Sequence, residues 1–261
     1  MAPRMRPVRA RARQRGVSLV ELAIGLLILA LVIGGLLVPL ASQVEQGRVS
    51  QTQRQLDEIR EAVIGFALAN GRLPCPASAA SNGVESPPGG GACTNPWNGF
   101  IPAVTLGLSQ VDAQGYAVDA WGLAQNRVRY AVTTANAAAF TTAGQMRATG
   151  MAGLASDLRV CAAGAGITGA GNAANCGAGD VLSQNAVVVI YSVGANAASG
   201  GTSADEVQNP NPNPNSTNSD RAFVSRVRGA PGAAAAEFDD LVTWLSPSIL
   251  YARLVAAGQL P

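Results

Sequence analysis

The side chains that most enzymes use for acid–base chemistry are missing from this sequence. Its 261 residues include no histidine and no lysine. Imidazole bases, Ser-His-Asp and Cys-His sites, Walker-type phosphate loops and Schiff-base chemistry are therefore excluded. Four glycines are spaced like a phosphate loop, but their segment is of low complexity and no strong strand precedes it: Gly164, Gly166, Gly169 and Gly171. We predict no catalytic residue and no enzymatic activity.

Two pairs of adjacent carboxylates are the remaining candidates for acid–base or metal chemistry. They are Asp205-Glu206 and Asp239-Asp240. Either pair could bind calcium or transfer protons only if the fold brought further oxygen atoms near it. Adjacent acids more often lie in a solvated turn. We expect such turns here and predict no metal ligands.

Four cysteines, an even number, lie in short polar or glycine-rich segments and lack the C-x-x-C spacing of a zinc or redox site. We therefore expect disulfides. Pairing of neighbours would give Cys75–Cys93 and Cys161–Cys176, and each short loop would stabilise the fold by about 2–4 kcal/mol. Two other connectivities are open, and free thiols in a reducing compartment are the alternative.

The charge of the chain is divided unevenly. The net charge is +2, but six of the eighteen arginines precede Gly16. The remaining twelve arginines face sixteen acids, a formal charge of −4. The body of the protein therefore lacks the basic surplus that binds a phosphate backbone, and we predict no nucleic-acid partner.

A stretch without charged residues follows this basic segment, from Leu22 to Ala41. As a helix rising about 1.5 Å per residue it could cross a hydrocarbon core of about 30 Å. The arginines before it, and the lack of any other until Arg48, place residues 1–16 in the cytoplasm. A cleaved secretory signal would be shorter and end in small residues, and a twin-arginine signal needs adjacent arginines. A plain anchor leaves Glu21 unexplained, since an acid in an apolar helix opposes membrane insertion.

The segment Arg15-Gly16-Val17-Ser18-Leu19-Val20-Glu21-Leu22, with the aliphatic run after it, resembles the cleavage and methylation motif of type IV prepilins and type II secretion pseudopilins. The resemblance implies that prepilin peptidase cuts between Gly16 and Val17 and that the new amino group of Val17 is methylated. It also implies that Glu21 faces the amino terminus of a neighbouring subunit during assembly. Two departures are Val17, where the family usually has Phe or Met, and Pro39, which falls one position late.

The resemblance further implies a structural subunit, held in the bacterial inner membrane by a single span with a periplasmic domain, and then assembled into a pilus or pseudopilus. Its partners would be other pilin or pseudopilin subunits, prepilin peptidase and the inner-membrane assembly platform. Some major pseudopilins bind calcium and carry a D-P-W-G motif, to which Asp119-Ala120-Trp121-Gly122 is similar. Because Ala120 replaces the proline, we predict no cofactor, with calcium left open. The alternative is an anchored periplasmic ligand-binding protein or enzyme.

Beyond Ala41 the pattern is that of an amphipathic helix, with apolar residues at spacings of three, four and seven: Val49, Leu56, Ile59, Val63 and Phe66. Asn70-Gly71 and Pro74 predict its end near residue 70. We expect one face to pack on a sheet; a coiled coil is the alternative. Pro39 removes a helical hydrogen bond and predicts a bend.

Residues 71–100 have loop composition, and β-branched or aromatic runs predict three strands: Arg127–Thr133, Ala186–Val193 as the central strand, and Arg221–Val227. The alternating Asn-Pro tract that starts at Asn209 predicts an exposed loop. Ser246-Pro247 and Gly258 bound a final helix, predicted at Ser248–Ala257.

These elements predict an α+β, pilin-like fold in which a long amino-terminal helix packs on a small antiparallel sheet with disulfide-stabilised loops. The predicted divisions are a cleaved cytoplasmic leader at 1–16, a transmembrane and filament-core helix at 17–41, an amphipathic helix at 42–70 and a globular domain at 71–261.

Overall fold

The computed structural model describes residues 18–167, 175–177, 180–199, 203–209, 221–229 and 237–260, without the side chains of 35–41. The predicted leader, the cleavage residues Gly16 and Val17 and the tract after Asn209 lie outside the described residues. The chain divides into two compact units, Met1–Gln46 and Gly47–Pro261.

The first helix, α1, spans Leu19–Asn70, and its helical backbone continues through Pro39. It ends where the sequence predicts. The Gly71 N–H donates to the Ala67 carbonyl at 2.9 Å, and Gly71 adopts a positive φ of 64° that favours glycine. The bend at Pro39 stays a prediction. Within the described parts of the chain, no helix has both the length and the apolar composition to cross a membrane.

The described residues of the second unit form two sheets. The first is four-stranded and antiparallel, in the order β1-β2-β5-β7, and the second is three-stranded, in the order β4-β3-β6, with β3 and β6 parallel. The strands are β1 (Gly99–Phe100), β2 (Arg129–Val132), β3 (Leu158–Cys161), β4 (Val181–Ala186), β5 (Val188–Ser192), β6 (Ala222–Val224) and β7 (Leu241–Leu245).

Short helices connect and close these sheets. They are α2 (Ala103–Leu106), α3 (Ala135–Ala138), α4 (Gln145–Thr149), α5 (Ala204–Gln208) and α6 (Pro247–Ala256), with a 3₁₀ turn at Ala124–Asn126. The last helix confirms the predicted start, since Ser246 is at its N-cap and Pro247 is its first residue. Gly258 follows its end with a positive φ of 70°.

The buried core lies where α1 packs on the first sheet. Its contribution from α1 is an apolar stripe of Leu56, Ile59, Val63, Ile64 and Ala67. Val188 and Ile190 of β5 belong to this cluster, whereas Val189 and Tyr191 belong to a second cluster with Leu158, Val160 and Phe223 of the other sheet. Alternation along β5 therefore buries both of its faces. The α+β fold with a long helix on an antiparallel sheet is confirmed, and the helix packs on the sheet as predicted.

Both predicted disulfides are present, and neighbours pair. Cys75 bonds to Cys93, and Cys161 bonds to Cys176. The first closes a loop between α1 and β1, and the second joins the end of β3 to the segment before β4.

A buried ion pair supports the first of these loops. The Arg72 guanidinium donates to both carboxylate oxygens of Glu85, at 2.8 and 2.6 Å, and Glu85 also accepts from the N–H groups of Cys75 and Gly89. Burial alone would raise the pKa of Glu85, but these hydrogen bonds and the charge of Arg72 hold it below its ordinary value of 4.5. The pair ties the end of α1 to the loop.

Replacing Glu85 by Gln should destabilise the fold by about 3–5 kcal/mol, because the Arg72 charge would stay buried without its counter-charge. The measurement is urea unfolding of the detergent-solubilised chain, followed by tryptophan fluorescence. Since the folded pKa of Glu85 is lowered, its stabilising effect is complete above about pH 4.5 and is lost as pH falls through the folded pKa. The Glu85→Gln variant should not show this decrease in unfolding free energy at low pH.

Asp57→Asn is the matched control, since Asp57 pairs with Arg60 at 3.5 Å on the exposed face of α1. It should change the unfolding free energy by less than about 1 kcal/mol. Equal losses in Glu85→Gln and Asp57→Asn would contradict the role assigned to burial.

Candidate assembly site

The first turns of α1 expose apolar side chains on every side of the helix. Eleven large aliphatic residues are between 49% and 86% exposed: Leu19, Val20, Leu22, Ile24, Leu26, Leu27, Ile28, Leu29, Leu31, Val32 and Ile33. A helix that is hydrophobic all round requires apolar surroundings, and a patch of this extent marks an interaction surface. Those surroundings have to come from outside the described chain, as lipid or as other protein.

Glu21 interrupts this apolar surface. It lies in the first turn of α1, is exposed, and is the only charged residue between Ser18 and Gly34. The N–H groups at a helix N-terminus favour a carboxylate there, but by only about 0.3–1 kcal/mol. In apolar surroundings the carboxylate needs a counter-charge. The structure places Glu21 in the first turn of α1, whereas the predicted cleavage residues Gly16 and Val17 lie outside the described residues.

A second polar site lies on the part of α1 that belongs to the second unit, where the helix contacts the turn Asp119-Ala120-Trp121-Gly122. The Thr52 hydroxyl accepts from the Ala120 N–H at 3.2 Å, and Gln55 Nε2 donates to the Val118 carbonyl at 2.7 Å. Both side chains are buried on α1. The helix therefore hydrogen-bonds to the backbone of this turn as well as packing on the sheet.

Asp119 holds the turn in place from within. Its carboxylate accepts from the Trp121 N–H at 2.9 Å, from Asn126 Nδ2 at 3.0 Å and from the Ser192 hydroxyl at the end of β5. Burial raises the pKa of Asp119 above its ordinary value even though these hydrogen bonds act in the opposite direction. Asn126 Nδ2 also donates to the Gly194 carbonyl at 2.5 Å. Asp119 thus connects the turn to the end of β5 by hydrogen bonds.

These contacts give the D-A-W-G turn a structural role. Trp121 is partly buried against the cluster that includes the apolar stripe of α1. Among the residues that the structure describes, no group of three or more His, Cys, Asp or Glu side chains is arranged to hold a metal ion. The turn connects structural elements.

The prediction that the paired carboxylates lie in solvated turns is wrong for three of the four acids. Glu206, Asp239 and Asp240 are all buried, and only Asp205 keeps a partly exposed side chain, paired with Arg226 at 2.7 Å. Glu206 Oε1 accepts from the Asp239 N–H at 3.0 Å, so the fold brings the two pairs together. A signal was present in the sequence: Asp239-Asp240 lies between Phe238 and Leu241, both of which are buried.

Gln55→Ala should lower the unfolding free energy by about 1–2 kcal/mol, because the Val118 carbonyl would lose its donor. The neighbouring Gln53 is exposed on the same helix, so Gln53→Ala should change stability by no more than about 0.5 kcal/mol. Urea unfolding of both variants, each followed by tryptophan fluorescence, measures the difference. Equal effects would show that the helix-to-turn hydrogen bond adds nothing.

Comparison with known proteins identifies the amino-terminal segment. Residues 11–37 match the family model described as the prokaryotic N-terminal methylation motif. No curated protein and no solved structure showed a significant match to this chain. The matched range contains the Gly16–Val17 junction, Glu21 and the exposed apolar turns of α1. This chain therefore carries the prepilin-type methylation motif, which implies a pilin- or pseudopilin-type protein that is processed by prepilin peptidase from an inner-membrane precursor.

Proposed function

We propose that this protein is a minor structural subunit of a type IV pilus or type II secretion pseudopilus, assembled through its first helix. One observation carries the proposal: the matched motif places a lone carboxylate, Glu21, in the first turn of a helix whose surrounding surface is apolar and exposed. An anchor needs only the apolar surface. The carboxylate adds a requirement for a specific partner.

Cleavage would create that partner. Residues 17–47 contain no basic side chain, so after removal of the leader the amino group of Val17 is the only cation in the segment. An ion pair between this group and Glu21 of a neighbouring subunit would neutralise both charges inside an apolar filament core. Packing of aliphatic helices alone gives little register, because lipid and protein surfaces are about equally apolar. The ion pair supplies the register.

The proposal assigns a location to each part of the chain. Residues 17–41 would lie first in the inner membrane, with the leader in the cytoplasm, and then in the filament core. Residues 42–70 would continue the helix, and residues 71–261 would be displayed in the periplasm or outside the cell. The Asn-Pro tract and the long loop between Cys75 and Cys93 favour a minor subunit, because a major subunit must pack against copies of itself repeatedly.

The processed chain should begin with N-methylated Val17. Intact-mass and amino-terminal sequencing of protein extracted from membranes measures this directly. Gly16→Leu should leave the leader attached, because the peptidase would meet a bulky residue at the scissile bond. Gly25→Leu is the matched control within the same motif and should still be processed, since a Cβ at Gly25 meets open space. A wild-type chain that keeps Met1 would contradict the proposal and support a membrane-anchored periplasmic protein.

Glu21→Ala should reduce incorporation into filaments at least tenfold while leaving membrane insertion and cleavage intact. The physical reason is the loss of the only carboxylate that can pair with the neighbouring amino terminus. Immunoblots of sheared filaments and of membranes from the same cells, with the unchanged partner subunits present, separate the two effects. Glu58→Ala, which removes an exposed carboxylate further along α1, is the control and should assemble normally. Normal assembly of Glu21→Ala would overturn the assigned role.

A further inference from the structure

Three segments meet at a pair of buried carboxyl groups. The two groups belong to Glu206 on α5 and to Asp239 in the segment before β7. The third segment is the turn at residues 194–196, which follows β5. Glu206 is 3% exposed and Asp239 is 8% exposed, so both groups lie in the interior.

Each carboxyl group receives its hydrogen bonds on one oxygen only. Glu206 Oε1 accepts from the Asp239 N–H at 3.0 Å and from Asn196 Nδ2 at 2.9 Å. Asp239 Oδ2 accepts from the Ala195 N–H at 2.7 Å and from the Asn196 N–H at 3.0 Å. Amide groups thus hold one oxygen of each acid and tie the three segments together.

The second oxygens, Glu206 Oε2 and Asp239 Oδ1, are buried and receive no hydrogen bond from any donor among the described residues. Asn196 bonds to both acids, through its N–H to Asp239 and through its side chain to Glu206, so the two carboxyl groups lie side by side. Two ionised carboxylates in this position would repel each other and leave both oxygens unsatisfied. One proton between them would turn repulsion into a hydrogen bond.

Gly194 packs closely against Asp239 and restricts its position. A Cβ on Gly194 would lie 2.6 Å from Asp239 Oδ1, and Gly194 has a positive φ of 67°, so only glycine fits there. The Gly194 carbonyl accepts from Asn126 Nδ2, which also donates to the buried Asp119. Asp239 is therefore packed closely against the turn that follows β5.

Other charged residues surround the pair. Asp240, the next residue, is also buried and accepts from Asn209 Nδ2 at 2.7 Å. Arg226 lies over the Phe238 ring, donates to the Glu237 carbonyl and pairs with Asp205 at 2.7 Å. Burial raises the pKa of Asp239 to about 6, and the charge and hydrogen bond of Glu206 act in the same direction. Burial also raises the pKa of Asp240, aided by the charges of Asp239 and Glu206.

We propose that Asp239 carries a proton and donates it in a hydrogen bond to the buried Glu206 carboxylate, which makes the pair a pH-sensitive latch joining α5, the 194–196 turn and the segment before β7. The latch is closed in mild acid and weakens as the pH rises through about 6, because the folded state holds a proton that the opened chain releases. Asn209 caps the end of α5 and donates to Asp240, so opening of the latch also loosens the end of α5.

Amide hydrogen exchange of the full chain in detergent, corrected for the intrinsic effect of pH, tests the latch. Protection of the Ala195, Asn196 and Asp239 N–H groups should fall about tenfold between pH 5 and pH 8. In Asp239→Asn and in Glu206→Gln the new amide can donate to the other carboxyl group without a proton. Either variant should therefore make protection independent of pH over this range.

Asp180→Asn is the control, since Asp180 is an exposed acid just before β4, and it should keep the wild-type pH dependence. A purely structural role for the pair would lower protection equally at all pH values in the amide variants. Wild-type protection that does not change between pH 5 and pH 8 would overturn the latch, and so would an amide variant that retains the tenfold change. If one variant fails to fold, the wild-type profile and the other variant decide.

Discussion

One helix has to satisfy two different hydrophobic environments, and the rest of the structure is arranged around that constraint. From Leu19 to Ile33 its large apolar side chains are exposed on every side. From Leu56 to Ala67 only one stripe is apolar, and the protein's own core buries it. The first part gains stability only from apolar surroundings outside the described chain, whereas the second is stabilised within the chain. The change of pattern along α1 therefore separates an exposed interaction surface from a surface that folding buries.

The folding half of α1 is secured by buried polar groups as well as by packing. The Arg72–Glu85 pair holds its end, and Thr52 and Gln55 bond to the turn at Asp119. Apolar packing alone tolerates rotation or sliding of a helix, but a buried donor that misses its acceptor loses about 1–3 kcal/mol. Each of these groups therefore adds specificity of position to the hydrophobic stripe. The pKa directions follow the same logic. Hydrogen bonds from the Arg72 cation and backbone N–H groups lower the pKa of Glu85, whereas burial raises the pKa of Asp119 because its neutral donors only partly offset it.

Local sequence signals predicted the elements that local physics determines. The end of α1 at Asn70-Gly71, the start of α6 at Ser246-Pro247 and the interior strand at β5 depend on capping, proline geometry and β-branched runs, and all three are confirmed. The second sheet was not predicted as a separate layer. Its strand β3 has only four residues, and β4 is mostly exposed, so their apolar pattern is weak. The parallel pairing of β3 with β6 is a long-range property that no local pattern predicts.

The buried acids show the same limit at the level of a site. Asp239-Asp240 looks like a solvated turn when only adjacent charges are considered, yet both residues are buried by partners from α5 and the 194–196 turn. Tertiary contacts overrode the usual preference of acids for solvent. By contrast, the position of Glu21 near the start of an apolar helix was predictable from sequence, because its surroundings are set by its immediate neighbours in α1 rather than by distant segments.

Two independent features support the proposed orientation of the chain. The arginines before Gly16 favour a cytoplasmic leader, and disulfides persist in oxidising compartments such as the periplasm. Both bridges lie in the second unit, after the apolar segment. A chain inserted the opposite way would expose these bridges to reducing thiols and carry its basic leader across the membrane. Charge asymmetry and thiol chemistry depend on different physics, so their agreement strengthens the case that the domain is displayed outside the cytoplasm.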